Sequence, residues 1–256
     1  MPAWLMVLFR LTGIFVFAPL LSSRAIPARV KVFLALGLSC CVFPMLLSAG
    51  KASAPLIAAW VKPSATLWTL GPAVAAELLI GVVIGYAATL PLLGMQMGGR
   101  VVAQQMGLGL AEVFNPGEEQ SGIVSHFFYL LGLSLFMILG GHRTLLAVLV
   151  GSFDHVPLGG GAASFGVLDL ILGMLETAYE LALRVAAPLL CLIFLETLAM
   201  GFIARTVPQL NILSIGFALR VVLGASILIG AVAIVSGVFM DVLRQSLQQV
   251  AAMFGL

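Results

Sequence analysis

Charge is scarce in this sequence. Only 9% of its 256 residues are Asp, Glu, Lys or Arg, against about a quarter in a soluble domain. With 62% hydrophobic residues, no soluble fold of this length could hide so much apolar surface. The surroundings must be lipid, other subunits, or both. The formal net charge of +2 offers little to a phosphate backbone. No basic tract, zinc spacing or aromatic–basic interleaving is present, so nucleic acid is excluded as a partner. Cysteine is equally sparse. Cys40, Cys41 and Cys191 all lie in apolar runs, where they read as small hydrophobes and not as a disulfide framework. The three histidines, His126, His142 and His155, have no metal-ligand spacing. His142, after two glycines, is expected to cap or bond to backbone at an interface. There is no nucleophile elbow: Ser121 reads as a loop residue and Ser125 as a helix start. "VPLGGGAASFG" lacks the Lys-Ser/Thr that a phosphate-binding loop needs. No enzyme constellation and no cofactor site is expected.

What the chain has is long apolar runs. Six segments, about 3–21, 30–48, 67–95, 126–151, 167–203 and 210–240, approach the roughly 20 residues that span a bilayer. The expected fold is all-α, with about six long hydrophobic helices arranged as hairpins. The first segment carries Arg10 and lacks a basic start and a small-x-small cleavage site, so it reads as a retained span and not as a signal peptide. The fifth is too long for one straight span, and reads as a helix that outruns the bilayer or as two pieces broken near Pro188. The tail "MDVLRQSLQQVAAMFGL" reads as a helix end turning amphipathic at an interface. For orientation, a cytoplasmic 22–31 loop puts Arg24, Arg29, Lys31, Arg100 and Arg205 inside, against Lys51, Lys62 and Arg244 outside. Both termini then face the periplasm.

The few charges fall in awkward places. Arg10, Glu77, Glu176, Glu180, Arg184, Glu196 and Arg220 lie in or beside apolar runs. A charge facing lipid costs about 2.5–3.5 kcal/mol at mid-membrane. These residues should therefore face other helices, other subunits or a wet lumen, with Glu180, Arg184, Glu196 and Arg220 the candidates for charge pairing. Glu180 and Arg184 are spaced to pair on one helix face. A proton relay would want acids aligned on facing spans, which the spacing does not show. Gly81 and Gly85, and Gly132 followed by Gly140 and Gly141, would let helices approach closely.

Five stretches resemble a known family. "RLTGIFVFAPLLSSRAIPARVKVFLAL" is similar to the opening of the FliR family of flagellar export proteins and its SctT-like counterparts in virulence-type type III secretion. The resemblance continues through "QMGLGLAEVFNP" and "GGHRTLLAVLVGSFDHVPLG". It resumes at "ALRVAAPLL" and "ARTVPQLNILSIGFALRVVLG". It implies a core subunit of a helical, conical export gate in the bacterial inner membrane, multi-pass, within a flagellum basal body or an injectisome. Unfolded flagellar or effector proteins would pass through it. The implied partners are two smaller FliP-like and FliQ-like membrane proteins and the FlhB-like switch protein. The family also implies a fusion of the two smaller partners' folds: residues 1–164 as an N-terminal helical part and 165–256 as a hairpin-like part. Its tip, Arg205, Pro208, Gln209 and Asn211, would face the cytoplasm and the next gate component.

The resemblance also implies a channel plug within residues 106–122, carried by Met106, Gly107, Leu108, Gly109, Leu110, Val113, Phe114, Asn115 and Pro116. The residues suit it. Glycine loosens helix by about 1 kcal/mol relative to alanine, and Pro116 stops its continuation. Leu108, Leu110, Val113 and Phe114 are apolar enough to close a narrow bore by dewetting. The glutamates of "EVFNPGEEQSGIV" lie where family members vary. The competing readings are a secondary transporter for a small solute, which should show inverted halves with matching interruptions, and a scaffold that nucleates the gate without lining it.

Overall fold

The computed structural model describes residues 2–23, 26–48, 67–108, 122–156, 158, 167–207 and 212–253. These form seven helices: α1 Pro2–Phe17, α2 Ala28–Ser48, α3 Leu67–Gln105, α4 Ile123–Ile138, α5 Gly141–His155, α6 Val167–Thr206 and α7 Ile212–Met253. No strand occurs among the described residues. The all-α expectation holds. As membrane crossings, three helices are long and apolar enough, and up to five if two bent helical pairs each count as one span.

The helix boundaries depart from the hydropathy reading where backbone chemistry intervenes. The first segment was expected to run to about 21, but α1 stops at Phe17, two residues before Pro19. The chain then turns, with Leu20 at φ 70°. At 16 residues, α1 is short of a crossing. The fourth segment is two helices, because Gly140 at φ 69°, ψ 29° breaks it ahead of α5. A left-handed residue ends a helix, and glycine adopts that conformation without a Cβ penalty. The fifth segment is one continuous helix of 40 residues with Pro188 inside, so of the two readings it is the helix that outruns the bilayer and not the pair broken near Pro188. At about 1.5 Å per residue, α3, α6 and α7 each run close to 60 Å, about twice the hydrocarbon core. α2 starts on Pro27, whose carbonyl accepts from the backbone N–H of Val30 at 3.0 Å.

The chain divides into two compact units, each built from several stretches: residues 1–90, 137–175 and 243–256, and residues 91–136 and 176–242. In the first unit, α1 lies parallel on the first half of α3 through glycines. A Cβ on Gly81 would run into the Arg10 carbonyl, and one on Gly13 into that of Leu78. A turn further on, a Cβ on Gly85 would come within 2.8 Å of the Ile14 carbonyl oxygen. The Thr89 hydroxyl donates to the Phe17 carbonyl, closing the pair at its far end. The expected close approach at Gly81 and Gly85 is thus made, with α1 as the partner.

In the second unit the same device recurs between α3 and α6. Gly94 sits against Ala178 and Gly98 against Ala182, with carbonyl oxygens 2.6 and 2.9 Å from where a Cβ would lie. Gly99 is packed on Ser125 and Phe128 of α4, and Gly132 of α4 on Met95 and Phe239. Small residues that let backbones meet are the usual basis of helix association when lipid is as apolar as the side chains. α3 is accordingly the buried helix: 67% of its most apolar stretch is inside, against 22% for α2 and 28% for α6. The latter two keep large apolar residues such as Phe33 and Phe194 exposed.

Two glycine substitutions separate these cases. Gly81→Ala has no room, and should cost about 1–3 kcal/mol or more through forced helix displacement. Gly37→Ala on α2, where a Cβ meets nothing within 4 Å, should be neutral or favourable by up to about 1 kcal/mol. Thermal unfolding of the detergent-solubilised assembly should show a lowered midpoint for the first and not for the second.

Candidate functional site

Arg10 is completely buried. Its position one helical turn from Gly13, with α1 pressed on α3, leaves its side chain no way out to water. Instead its Nε donates to the Glu77 carboxylate at 2.5 Å. Its Nη1 donates to the Ser152 hydroxyl at 3.1 Å and its Nη2 to the Val156 carbonyl at 3.2 Å. The guanidinium also lies 4.2 Å from the centre of the Phe153 ring. One side chain of α1 therefore ties α3 to the C-terminal end of α5. Arg10 and Glu77 both stood out in the sequence as charges in apolar runs. Their pairing across 67 positions had no sequence signal, and Ser152 and Val156 had none at all.

The second unit carries the other pairs. Arg220 of α7 donates from Nε to Glu196 at 2.9 Å and from Nη2 to the Thr197 hydroxyl at 3.0 Å. Glu196 is buried while Arg220 is about a third exposed. The pair joins α6 to α7 near Met200 and Gly216. The other carboxylate oxygen of Glu196, Oε1, is buried without a hydrogen-bond partner, and a Cβ on Gly216 would lie 3.6 Å from it. Glu180 and Arg184 meet at 2.6 Å on the outer face of α6, both more than half exposed. A pair so exposed contributes little to stability. The structure therefore brings together Glu180 with Arg184 and Glu196 with Arg220, and does not join the two pairs. Arg205, exposed in the last turn of α6, sits where a cation complements the helix dipole. Pro208, Gln209 and Asn211 lie outside the described residues.

The stem of the expected plug is a helix end of defined geometry. The backbone N–H of Leu108 donates to the Ala103 carbonyl and that of Gly107 to Gln104, both at 3.0 Å. Gly107 has φ 79°. This is a Schellman cap, with glycine in the left-handed position it favours. Gly107 thus ends α3 in a fixed turn, a sharper role than the loosening read from sequence. Met106 is buried beneath Gly224 of α7, where a Cβ would come within 2.7 Å of the Met106 methyl. Gly107 faces the Phe217 ring. Gly109, Leu110, Val113, Phe114, Asn115 and Pro116 lie outside the described residues. Ser125, in the first turn of α4, donates back to the Gly122 carbonyl at 2.8 Å, a helix-start bond. His142 is exposed at the start of α5, and that helix start has no side-chain cap. Among the described residues, no group of three His, Cys, Asp or Glu could hold a metal ion.

Comparison with known proteins gives this geometry its setting. The family described as bacterial export proteins, family 1, matches residues 1–246. The chain belongs to this family. Proteins named flagellar biosynthetic protein FliR are among its relatives. The flagellar biosynthetic protein FliR of Bacillus subtilis is 26% identical over 260 residues, covering 100% of this chain and 95% of that protein. That of Caulobacter vibrioides is 29% identical over 231 residues, covering 90% and 88%. That of Escherichia coli is 27% identical over 222 residues, covering 86% and 80%. The resemblance read from five short stretches thus extends over residues 1–246 of this export protein.

The buried network of this export protein can be tested by substitution. Arg10→Met removes the guanidinium from the buried Glu77 carboxylate and should cost about 3–5 kcal/mol. The double variant Arg10→Met/Glu77→Met removes both charges and should recover much of that loss. Cellular level and thermal midpoint of the assembly measure both. A double variant no better than the single would show that the pair is not coupled. Gly216→Ser, which places a hydroxyl near Glu196 Oε1, should raise the midpoint by the worth of one hydrogen bond to a charged group, about 1.5–3 kcal/mol.

Proposed function

We propose that this chain is a core subunit of the gate through which unfolded flagellar proteins, or effectors in the injectisome version, leave the cytoplasm. The observation that carries the reading is the match of residues 1–246 to a family of bacterial export proteins, on a chain with three to five helices apolar enough to cross a membrane. It is a multi-pass inner-membrane component of the flagellar export apparatus and works as a non-enzymatic transport part. In the finer reading, the chain lines the export channel together with the FliP-like and FliQ-like subunits. The hairpin of α6 and α7, the core of the part from residue 165 on, contacts the FlhB-like switch protein through the turn that holds Arg205, Pro208, Gln209 and Asn211. The little-buried faces of α2 and α6 suit contact with such neighbours.

The segment that follows the cap at Gly107 closes the channel at rest and moves aside for substrate. Two features support this. The stem is held, with Met106 clamped beneath α7 and Leu108 bonded back to Ala103, so movement would start beyond it. The residues that follow, "GLAEVFNP", combine apolar side chains with the helix-stopping Pro116. Irregular backbone at membrane depth is tolerated only inside protein or along a cavity, and a plug meets that condition.

Deletion of residues 109–117, leaving the capped stem, should raise ion leakage across the inner membrane while export is partly kept. Gly107→Ala strains a left-handed residue and should raise leakage less, by shifting the stem. Conductance of the assembled gate in planar bilayers measures both. Unchanged conductance on deletion would remove the plug from the mechanism.

A further inference from the structure

We infer that a groove between α5 and the C-terminal segment of α7 is a binding site for one anionic phospholipid. The groove has a volume of about 280 Å³, close to the lower end of small-molecule pockets, about 300 Å³, and too narrow for a helix. Its floor is apolar, made by Leu139, Val148, Leu243 and Leu247, three of which are buried: Val148, Leu243 and Leu247. Its rim is polar, with Thr144, Arg244 and Gln248. The lining thus has the two chemistries of a lipid: methylenes for an acyl chain and donors for a phosphate.

The sequence places this groove at an apolar–polar boundary from two sides. The run that ends in "FMILGG" gives way to His142, Arg143 and Thr144. The run that ends in "GVFM" gives way to "DVLRQSLQQ". The groove residues that follow these two changes, 139–148 and 243–248, lie together in the same unit. Such a boundary marks the level of lipid headgroups, and a helix that turns amphipathic there lies along it.

The charge supplies the selectivity. Arg244 is exposed at the rim, and among the described residues it has no ion-pair partner. Its guanidinium suits the paired oxygens of a phosphate. The Thr144 hydroxyl and Gln248 amide stand on the same rim to take further oxygens. One uncompensated cation favours a headgroup with net negative charge, such as phosphatidylglycerol, over a zwitterionic one. This site goes beyond the export role and does not rest on the channel or plug reading.

The test uses the whole assembly, purified from its own membrane, stripped of lipid and held in detergent. Phosphatidylglycerol, phosphatidylcholine and inorganic phosphate are each titrated against the thermal midpoint, and bound lipid is counted by native mass spectrometry. Wild type should hold one extra phosphatidylglycerol relative to Arg244→Gln. That variant should bind it about fivefold more weakly, the worth of one cation at a charged lipid surface. Arg244→Lys should keep most of the affinity. Thr144→Phe, which fills the groove from an exposed position and leaves the charge in place, should also lose the lipid. Equal binding of phosphatidylcholine, or unchanged lipid in both Arg244→Gln and Thr144→Phe, would overturn the assignment. So would an equal shift with inorganic phosphate, since that would make the groove an anion site without a lipid.

Discussion

The first unit depends on one guanidinium that cannot reach water. Arg10 has no exposed surface, and an isolated buried charge of this kind would be prohibitive. It is tolerable because Glu77 neutralises it and because Ser152, the Val156 carbonyl and the Phe153 ring occupy the rest of its periphery. Glu77 comes from α3 and the other three from the C-terminal end of α5 and the residue that follows it, so the network exists only when α1, α3 and α5 are in register. A buried pair is weak evidence for stability in itself, because desolvation takes back most of the attraction. Its stronger effect is selective: a one-residue slip of α1 would carry the Arg10 guanidinium away from Glu77 within an apolar interior. In a protein whose surfaces are nearly all apolar, sliding registers cost little in hydrophobic terms. A polar contact of strict geometry is what distinguishes them.

The glycines explain why the ion pair can form at all. Arg10 and Glu77 meet because α1 and α3 touch backbone to backbone at Gly13 and Gly81. Any side chain there would hold the helices apart and lengthen the hydrogen bonds. The same logic, without a charge, operates in the second unit, where Gly94 and Gly98 admit Ala178 and Ala182. α3 thus serves as the common partner within each unit: its first half receives α1, and its second half receives α6 and α4. This accounts for its burial. It also accounts for what is left over, since α2 and α6 bury so little that their apolar faces must meet lipid or neighbours.

Much of this was legible in the sequence, and the illegible parts share a cause. Each of the six apolar runs contributes helix, because length and hydrophobicity are properties of consecutive residues. Glu180 and Arg184 pair as their spacing requires, because both sit on one helix. Gly81 and Gly85 stood out as small residues four apart, although nothing named α1 as their partner. Gly94 and Gly98 carry the same spacing within "GMQMGG" and were overlooked beside the stronger hydropathy signal. The failures are of two kinds. Hydropathy does not register a single φ value, so the break at Gly140 was merged into a span. It also cannot say whether a proline stops a helix or is absorbed by it: Pro19 follows the end of α1, while Pro188 lies within a helix that continues for more than four further turns. Pairings between distant segments, above all Arg10 with Glu77, are decided by packing and leave no local trace.

The end of α3 would suit the closure element proposed above. A plug that drifted as a free loop would have to find the channel again after each substrate. Here the chain leaves α3 through a cap whose two hydrogen bonds and left-handed glycine set one exit direction. Met106, clamped under Gly224, prevents that exit from rotating. The glycine at 224 is what admits the methionine, so the anchor is shared between α3 and α7. Opening need not disturb either helix, because the hydrogen bonds that end α3 are complete by Leu108. If the segment beyond Leu108 is the plug proposed above, the energetic cost of moving it would be confined to its own contacts, and the helices that end here would not have to unpack.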